Sequence, residues 1–406
     1  MLSRDEFHRF RLLAFSFILV SSIASADLPS PQPSPALSSW SISIPDQLQK
    51  NVDFWIQINS HYTVNQGLVH DSENIHYVYS VLDLSRSKRN TDHLIQVEKA
   101  KWKKVLLSVH KKQAHPEKMN LNEKRVFEMF KDSTEPNKFL NAAHRKRLRF
   151  QRGQKEAFLS GLYQSGKYLR KMETVFVGAG LPPELTRLPF VESSFNLKAR
   201  SKVGASGIWQ FMKSTGRLFL RVDDVVDERN DPIRASEAAA QLLTLNYRSL
   251  GNWPLAVTAY NHGRKGLMRA VRRLGSDQLV DVIDGYGGRS FGFASRNFFP
   301  ELVALIELEK NASRYFGQIE RAPEMLFYEV KLSRETNLPS LIQFLGLSFS
   351  EVRELNPGLS DSVFHQGVLV PAGYLLRLKR ASDESEEVLT KKFFEKYDLS
   401  FKSQQG

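Results

Sequence analysis

The chain has 406 residues, 57 Lys and Arg against 44 Asp and Glu, a formal charge of +13, and no cysteine. Without a thiol there is no disulfide, no thiolate metal site, no cysteine nucleophile and no lipid-modified N-terminal cysteine. The length allows two or three domains, and the positive charge favours acidic partners: nucleic acid, anionic lipid or an anionic wall polymer.

Arg4, His8, Arg9 and Arg11 precede a short apolar run over residues 12–20, and Ala24, Ser25 and Ala26 follow as an A-x-A cleavage site. This pattern predicts a secretory signal peptide over residues 1–26. The apolar run is short for a membrane-spanning helix, so an uncleaved anchor is the lesser alternative. The expected location is the periplasm, with no integral span after cleavage and no lipid anchor. Residues 27–43 hold Pro29, Pro31, Pro33 and Pro35 among serines and read as an extended linker.

Residues 44–180 read as largely helical. Leu94, Val97, Trp102, Val105, Leu106 and Val109 recur at helical spacing. Asn120 before Glu123 marks a helix start, and residues 150–177 carry a further pattern through Phe158, Leu162, Tyr163, Leu169 and Val175. No carboxylate pair or ligand cluster occurs here, so a helical wrap around the catalytic lobe is expected. Two basic runs stand out: Lys101, Lys103, Lys104, Lys111 and Lys112, then residues 144–149 (HRKRLR). Nucleic-acid binding conflicts with the export signal. A solvated helix face or attraction to an anionic wall remains.

Residues 181–317 carry the chemistry. Glu192 lies in PFVESSF (189–195), behind the apolar Leu188, Phe190 and Val191. A carboxyl in such surroundings resists ionising and holds a proton near neutral pH. That suits a general acid for glycosidic bond cleavage. The competing reading is a helix-end glutamate paired with Arg187 or Lys198. GASGIWQ (204–210) follows, with Gly204 and Gly207 for close backbone approach and the Trp209–Gln210 pair expected to open a helix. Gln210 offers a donor and an acceptor to a sugar. Asp231 and Pro232 predict a helix start, and a helix from Trp253 and Pro254 should end at Gly263, placing Tyr260 and Asn261 at its close. Tyr260 could orient the acid by a hydrogen bond. Glu184, Asp223, Asp224 and Asp227 are the candidates for a second carboxylate, and none has an apolar setting or suitable spacing.

Beyond 324 the pattern changes. A strand (326–332), two short helices (337–345 and 349–355), an NPG turn (356–358) and a closing strand (367–373) are expected within residues 324–379. Residues 380–406 form a charged tail.

PFVESSF, GASGIWQ, AYNHG (259–263) and RNFFP (296–300) together resemble the goose-lysozyme-like lytic transglycosylases (SLT family), in particular the group of membrane-bound lytic murein transglycosylase D. The resemblance implies a mainly α architecture: a lysozyme-like helical catalytic domain with an N-terminal helical extension. Glu192 would be the single catalytic residue, protonating the glycosidic oxygen between N-acetylmuramic acid and N-acetylglucosamine. It would then take the proton from the muramyl C6 hydroxyl, which closes onto C1 as a 1,6-anhydro ring. Ser193, Ser201, Gln210, Met212, Tyr260 and Asn261 would contact substrate. His262 falls at a variable family position and is expected to be exposed. No metal or cofactor is implied, and the partner would be peptidoglycan glycan strands. Family members are often lipid-anchored, a feature this cysteine-free chain lacks. The C-terminal order of strands and helices resembles a divergent LysM module, an α+β peptidoglycan-binding fold; a mere packing appendage is the alternative. Two other functions stay open: a muramidase on the same fold, and a non-catalytic wall-binding protein.

Overall fold

The structure, a computed structural model, describes residues 44–85, 90–288 and 290–380. The expected signal peptide, the Pro/Ser-rich linker and the tail beyond Arg380 lie outside these residues.

The chain begins with α1 (Asp46–Ser60), β1 (Gln66–Asp71), β2 (Val78–Asp83), α2 (Thr91–Lys112), α3 (Leu121–Met129), α4 (Lys138–Ala142) and β3 (Leu148–Arg152). Next come α5 (Lys155–Ser165), α6 (Leu169–Gly178), a 3-10 turn (Pro183–Arg187), α7 (Leu188–Ser193) and α8 (Lys213–Gly216). The larger helices are α9 (Pro232–Leu250), α10 (Trp253–His262), α11 (Arg264–Leu274), α12 (Leu279–Gly285), α13 (Phe293–Lys310) and α14 (Ala312–Phe316). The C-terminal part holds β4 (Phe327–Lys331), α15 (Leu338–Leu345), α16 (Phe349–Leu355), α17 (Asp361–His365) and β5 (Leu375–Lys379). The fold is mainly helical.

Residues 44–180, expected to be largely helical, also form a sheet that the sequence reading did not foresee. They include a three-stranded antiparallel sheet in the order β2-β1-β3, with Val69 opposite Ser80 on one side and Phe150 on the other. In β1 residues 67–71 are all buried, so the strand shows no polar–apolar alternation to read. β3 was hidden inside a basic run. Its neighbour Arg147 forms a bidentate pair with the buried Asp71, at 3.0 and 2.9 Å. The predicted helix over 150–177 is accordingly the end of β3 followed by α5 and α6. A separate core of Val69, Tyr79, Trp102, Leu106, Phe130 and Phe139 binds α2–α4 to this sheet. The capping box predicted at Asn120 and Glu123 is present.

The main core centres on α13, which packs on α1, α7 and α10. Its apolar residues Phe299, Leu302, Ala304 and Leu305 are fully or almost fully buried. α9 begins as predicted: the Asp231 carboxylate accepts from Ile233 N and Arg234 N, satisfying two helix-end donors. α10 ends as predicted at Gly263, whose φ of 91° disfavours a side chain.

In the C-terminal part β4 pairs antiparallel with β5, Val330 opposite Leu376. The closing strand therefore comes later than 367–373. That stretch is a loop, with glycines at positive φ at 367 and 373, and only Val370 bridges to Thr336. The core of this part includes Val226 from the catalytic segment. Asp227 N donates to Gly358 O at 2.7 Å and Ser360 N to Val225 O at 3.0 Å. Arg377, 4% exposed, donates to Asp231 at 2.6 Å and to Glu329 at 2.9 Å. Arg234 joins Glu329 from α9 at 3.1 Å.

Replacing Arg377 by Ala leaves the buried Asp231 carboxylate, the cap of α9, without its countercharge and takes one of its partners from Glu329. The expected cost is about 3–5 kcal/mol, the range for breaking a buried ion pair from one side. Urea unfolding followed by far-UV circular dichroism measures it; a change under about 1 kcal/mol contradicts the account.

Candidate active site

α7 is short because its end is enforced. Ser194 and Phe195 both adopt left-handed φ, 50° and 54°, uncommon for residues with a side chain. Phe195 is fully buried with its ring 4.6 Å from that of Phe190, which holds this strained exit in place. Glu192 is thereby fixed in the last turn, half-buried. Ser193, next to it, donates its hydroxyl to Ile208 O at 2.8 Å, so it tethers α7 to the 199–211 loop.

That loop is pinned from several sides. Gly207 has φ of 75°, and a Cβ there would lie 1.8 Å from Arg229 O, so only glycine fits. The buried Arg229 donates to Gly204 O at 2.9 Å and to Phe211 O at 3.1 Å, and pairs with Asp227 at 2.7 Å. Ser201 Oγ accepts from Ala205 N at 2.9 Å. Gln210 does not open a helix: it takes φ of 49° in a turn, and its Nε2 donates to Gly207 O at 2.7 Å and Ala199 O at 3.2 Å. Trp209 is fully buried, stacked on Phe176 at 5.7 Å, with Nε1 donating to Ser236 Oγ. Met212 is 40% exposed, which removes it from the core.

Tyr260 does not spend its proton on the acid. Its hydroxyl donates to Trp209 O at 2.8 Å, while its ring stacks on Phe298 of α13 at 6.4 Å. The charge of Glu192 opposes ionisation of the phenol, so the two groups are near neighbours. Glu192 itself has no hydrogen bond or ion pair among the described residues. Arg187, a suggested partner, is committed to Glu309 at 3.0 Å and to Glu173. Burial alone pushes the Glu192 carboxyl up to about 8.

A second carboxyl is present that sequence reasoning missed. Glu301, on α13 and close to one turn beyond Phe298, is half-buried and likewise without an ion pair among the described residues. Burial, then the charge of Glu192, raise its pKa to about 8. Two carboxyls this close release their protons as a pair. The signal was available: Glu301 stands alone in FFPELVALI, as Glu192 does behind its own apolar run. The earlier candidates are otherwise engaged. Asp223 pairs with Arg221 at 2.7 Å, and Asp227 with Arg229.

Asn261 is exposed, and its Oδ1 accepts from Ser295 Oγ at 2.9 Å. His262 is half-buried rather than exposed, edge-on to Phe291 at 5.1 Å, and burial lowers its pKa. Asn261 and His262 line a cavity of about 440 Å³ together with Arg149, Phe293 and Ser295. A larger cavity of about 1550 Å³, lined by Glu73, Arg147, Asp284 and Arg296, lies apart from Glu192. Among the described residues no three His, Asp or Glu side chains converge as metal ligands.

A buried carboxyl of raised pKa opposes folding once it must ionise. Below the unfolded value of 4.5 both states are protonated and nothing is lost; the cost grows between 4.5 and about 8 and is complete above. Glu192→Gln is therefore expected to raise the urea midpoint at pH 8.5 and leave it unchanged at pH 4. Equal midpoints at both pH values contradict the assigned environment.

Residues 178–279, which include Glu192, Gln210 and Tyr260, match the family model described as Transglycosylase SLT domain. Over 212 residues the chain is 30% identical to membrane-bound lytic murein transglycosylase D of Escherichia coli K12, covering 52% of this chain and 46% of that relative. The chain thus spans less than half the length of the curated relative it matches. Among the described residues no helix is long and apolar enough to cross a membrane. The 70 kDa soluble lytic transglycosylase of Escherichia coli matches in structure at 19% identity and a TM-score of 0.30, over 35% of this chain and 24% of that one. The chain carries a transglycosylase SLT domain at residues 178–279 and is similar, over half its length, to membrane-bound lytic murein transglycosylase D.

Proposed function

We propose that this protein is a lytic transglycosylase of peptidoglycan, cleaving the β1,4 bond between N-acetylmuramic acid and N-acetylglucosamine. The observation that carries the reading is Glu192: an unpaired carboxyl with a pKa of about 8, inside the SLT domain and beside Tyr260. Near neutral pH it holds a proton. Glu192 gives that proton to the glycosidic oxygen as the C1–O bond breaks. The resulting carboxylate takes a proton from the muramyl C6 hydroxyl, whose oxygen bonds to C1. The 1,6-anhydro end forms without water, and Glu192 is protonated again. Ser201, Gln210, Met212 and Asn261 are the proposed substrate contacts, the first two on the loop that Ser193 and Tyr260 hold and Asn261 at the end of α10. Export to the periplasm rests on the N-terminal pattern of residues 1–26. Residues 324–379 are proposed as a LysM-like glycan-binding module.

Glu301 favours one competing reading. A second carboxyl across a scissile bond can activate water, which gives a muramidase. On the transglycosylase reading Glu301 is a neutral bystander near neutral pH, since burial and the charge of Glu192 both hold its proton in place.

Three outcomes test this. Glu192→Gln should keep the fold and lose at least about 10⁴-fold in turnover, since general acid and base assistance each contribute about 10²–10⁴. Mass spectrometry of digested sacculi should find 1,6-anhydromuramyl ends; reducing ends carrying solvent ¹⁸O would make the enzyme a muramidase. Glu301→Gln should leave kcat and the alkaline limb of kcat/KM close to wild type, because burial alone raises the Glu192 carboxyl. A large loss of kcat would instead give Glu301 the water-activating role of a muramidase.

A further inference from the structure

We propose that the cavity between β3 and the start of α13 is a subsite for a carboxylate on a peptide substituent of the glycan, with Arg149 as its anchor. The inference rests on the peptidoglycan reading of the site.

Arg149 belongs to the second basic run, whose purpose the catalytic chemistry leaves unexplained. Its neighbour Arg147 is consumed by Asp71 and Glu135. Arg149 is not: among the described residues it makes no hydrogen bond and no ion pair. Its guanidinium instead lies 3.7 Å from the centroid of the Phe293 ring. Stacking uses the flat face of the group and leaves its N–H edge free. A planar, pre-oriented fork of donors matches a carboxylate in two-point contact. A lysine at that position would supply charge without the fork.

The cavity has room and polarity for such a group. It measures about 440 Å³ and is walled by Arg149, Asn261, His262, Phe293 and Ser295. Asn261 uses its oxygen on Ser295 and keeps its amide N–H₂ unpaired among the described residues. Gly292, the residue that opens α13, brings no side chain to cap the first helical amides. The nearest carboxylates are already taken, Asp71 by Arg147 and Glu73 by Arg296. Lys99 and Arg149 both act on the buried His70, whose ring packs 5.8 Å from Phe293, and burial keeps that histidine neutral. Among the described residues no carboxylate pairs with Arg149. An entering anion meets uncompensated positive charge in a partly desolvated setting, where its attraction is strongest.

Position ties the cavity to the reaction. Asn261 directly follows Tyr260, which neighbours Glu192. A glycan bound for cleavage at Glu192 would run past this wall, and its acidic peptide branches would reach Arg149.

The test compares wild type, Arg149→Ala and Arg149→Lys on two substrates: glycan strands bearing peptide stems, and the same strands stripped by an amidase. Loss of a hydrogen-bonded charge contact should raise KM on stem-bearing strands by about tenfold or more. Arg149→Lys should fall between. KM on stripped strands and kcat on both should hold. β3 is an edge strand and Arg149 is exposed, so the variant should fold; thermal unfolding checks this. Equal losses on both substrates, or none on either, overturn the proposal. If wild type cleaves neither, the enzymatic reading fails. Titration with free stem peptide then still decides: weaker binding to Arg149→Ala supports the subsite, and equal binding rejects it.

Discussion

A carboxyl group held partly out of water, with no cation to compensate it, is the constraint around which the catalytic region is arranged. Glu192 retains its proton because nothing nearby stabilises its anion. Arg187, five residues earlier, is drawn away by Glu309 and Glu173. Arg229, which pins the glycine loop, is spent inward on Asp227 and on carbonyls. One ion pair with Glu192 would return it to the ordinary carboxylate range and leave a base where an acid is needed.

The surrounding hydrogen bonds serve rigidity rather than chemistry. Ser193 and Tyr260 each end on a main-chain carbonyl of consecutive loop residues, Ile208 and Trp209, and Trp209 in turn donates to Ser236 on α9. Three helices thus grip one loop. A tether that bonds backbone instead of substrate fixes position without competing for the sugar. Residues selected by motif for contact with substrate therefore divide into those that hold the wall and those that face outward, Met212 and Asn261 among the latter.

Much of this was legible in the sequence where local rules suffice. Asp231 with Pro232, Trp253 with Pro254 and Gly263 after His262 mark helix ends through rules that act within a few residues, and those ends are where expected. Glu192 was legible because its apolar setting is contiguous in the chain. The sheet of residues 66–152 was not, because β1 is buried on both faces and β3 wears a basic disguise explained only by Asp71, 76 residues away. Glu301 shows the same limit. Its apolar helix was visible, but its nearness to Glu192 depends on how α13 packs on α7, a contact between segments far apart in sequence. Ser193 and Tyr260 were found for their type and place, yet their partners are carbonyl oxygens that no motif displays.

The Arg377 pairing sets an order of events during synthesis. Asp231 leaves the ribosome 146 residues ahead of Arg377. Until that arginine arrives, the cap of α9 has no countercharge, and Val226 has no apolar neighbours from the C-terminal part to cover it. A nascent chain ending before residue 377 therefore lacks the partner of Asp231 and the cover of Val226. The start of α9 and the segment around Val226 thus reach their final packing only with β5.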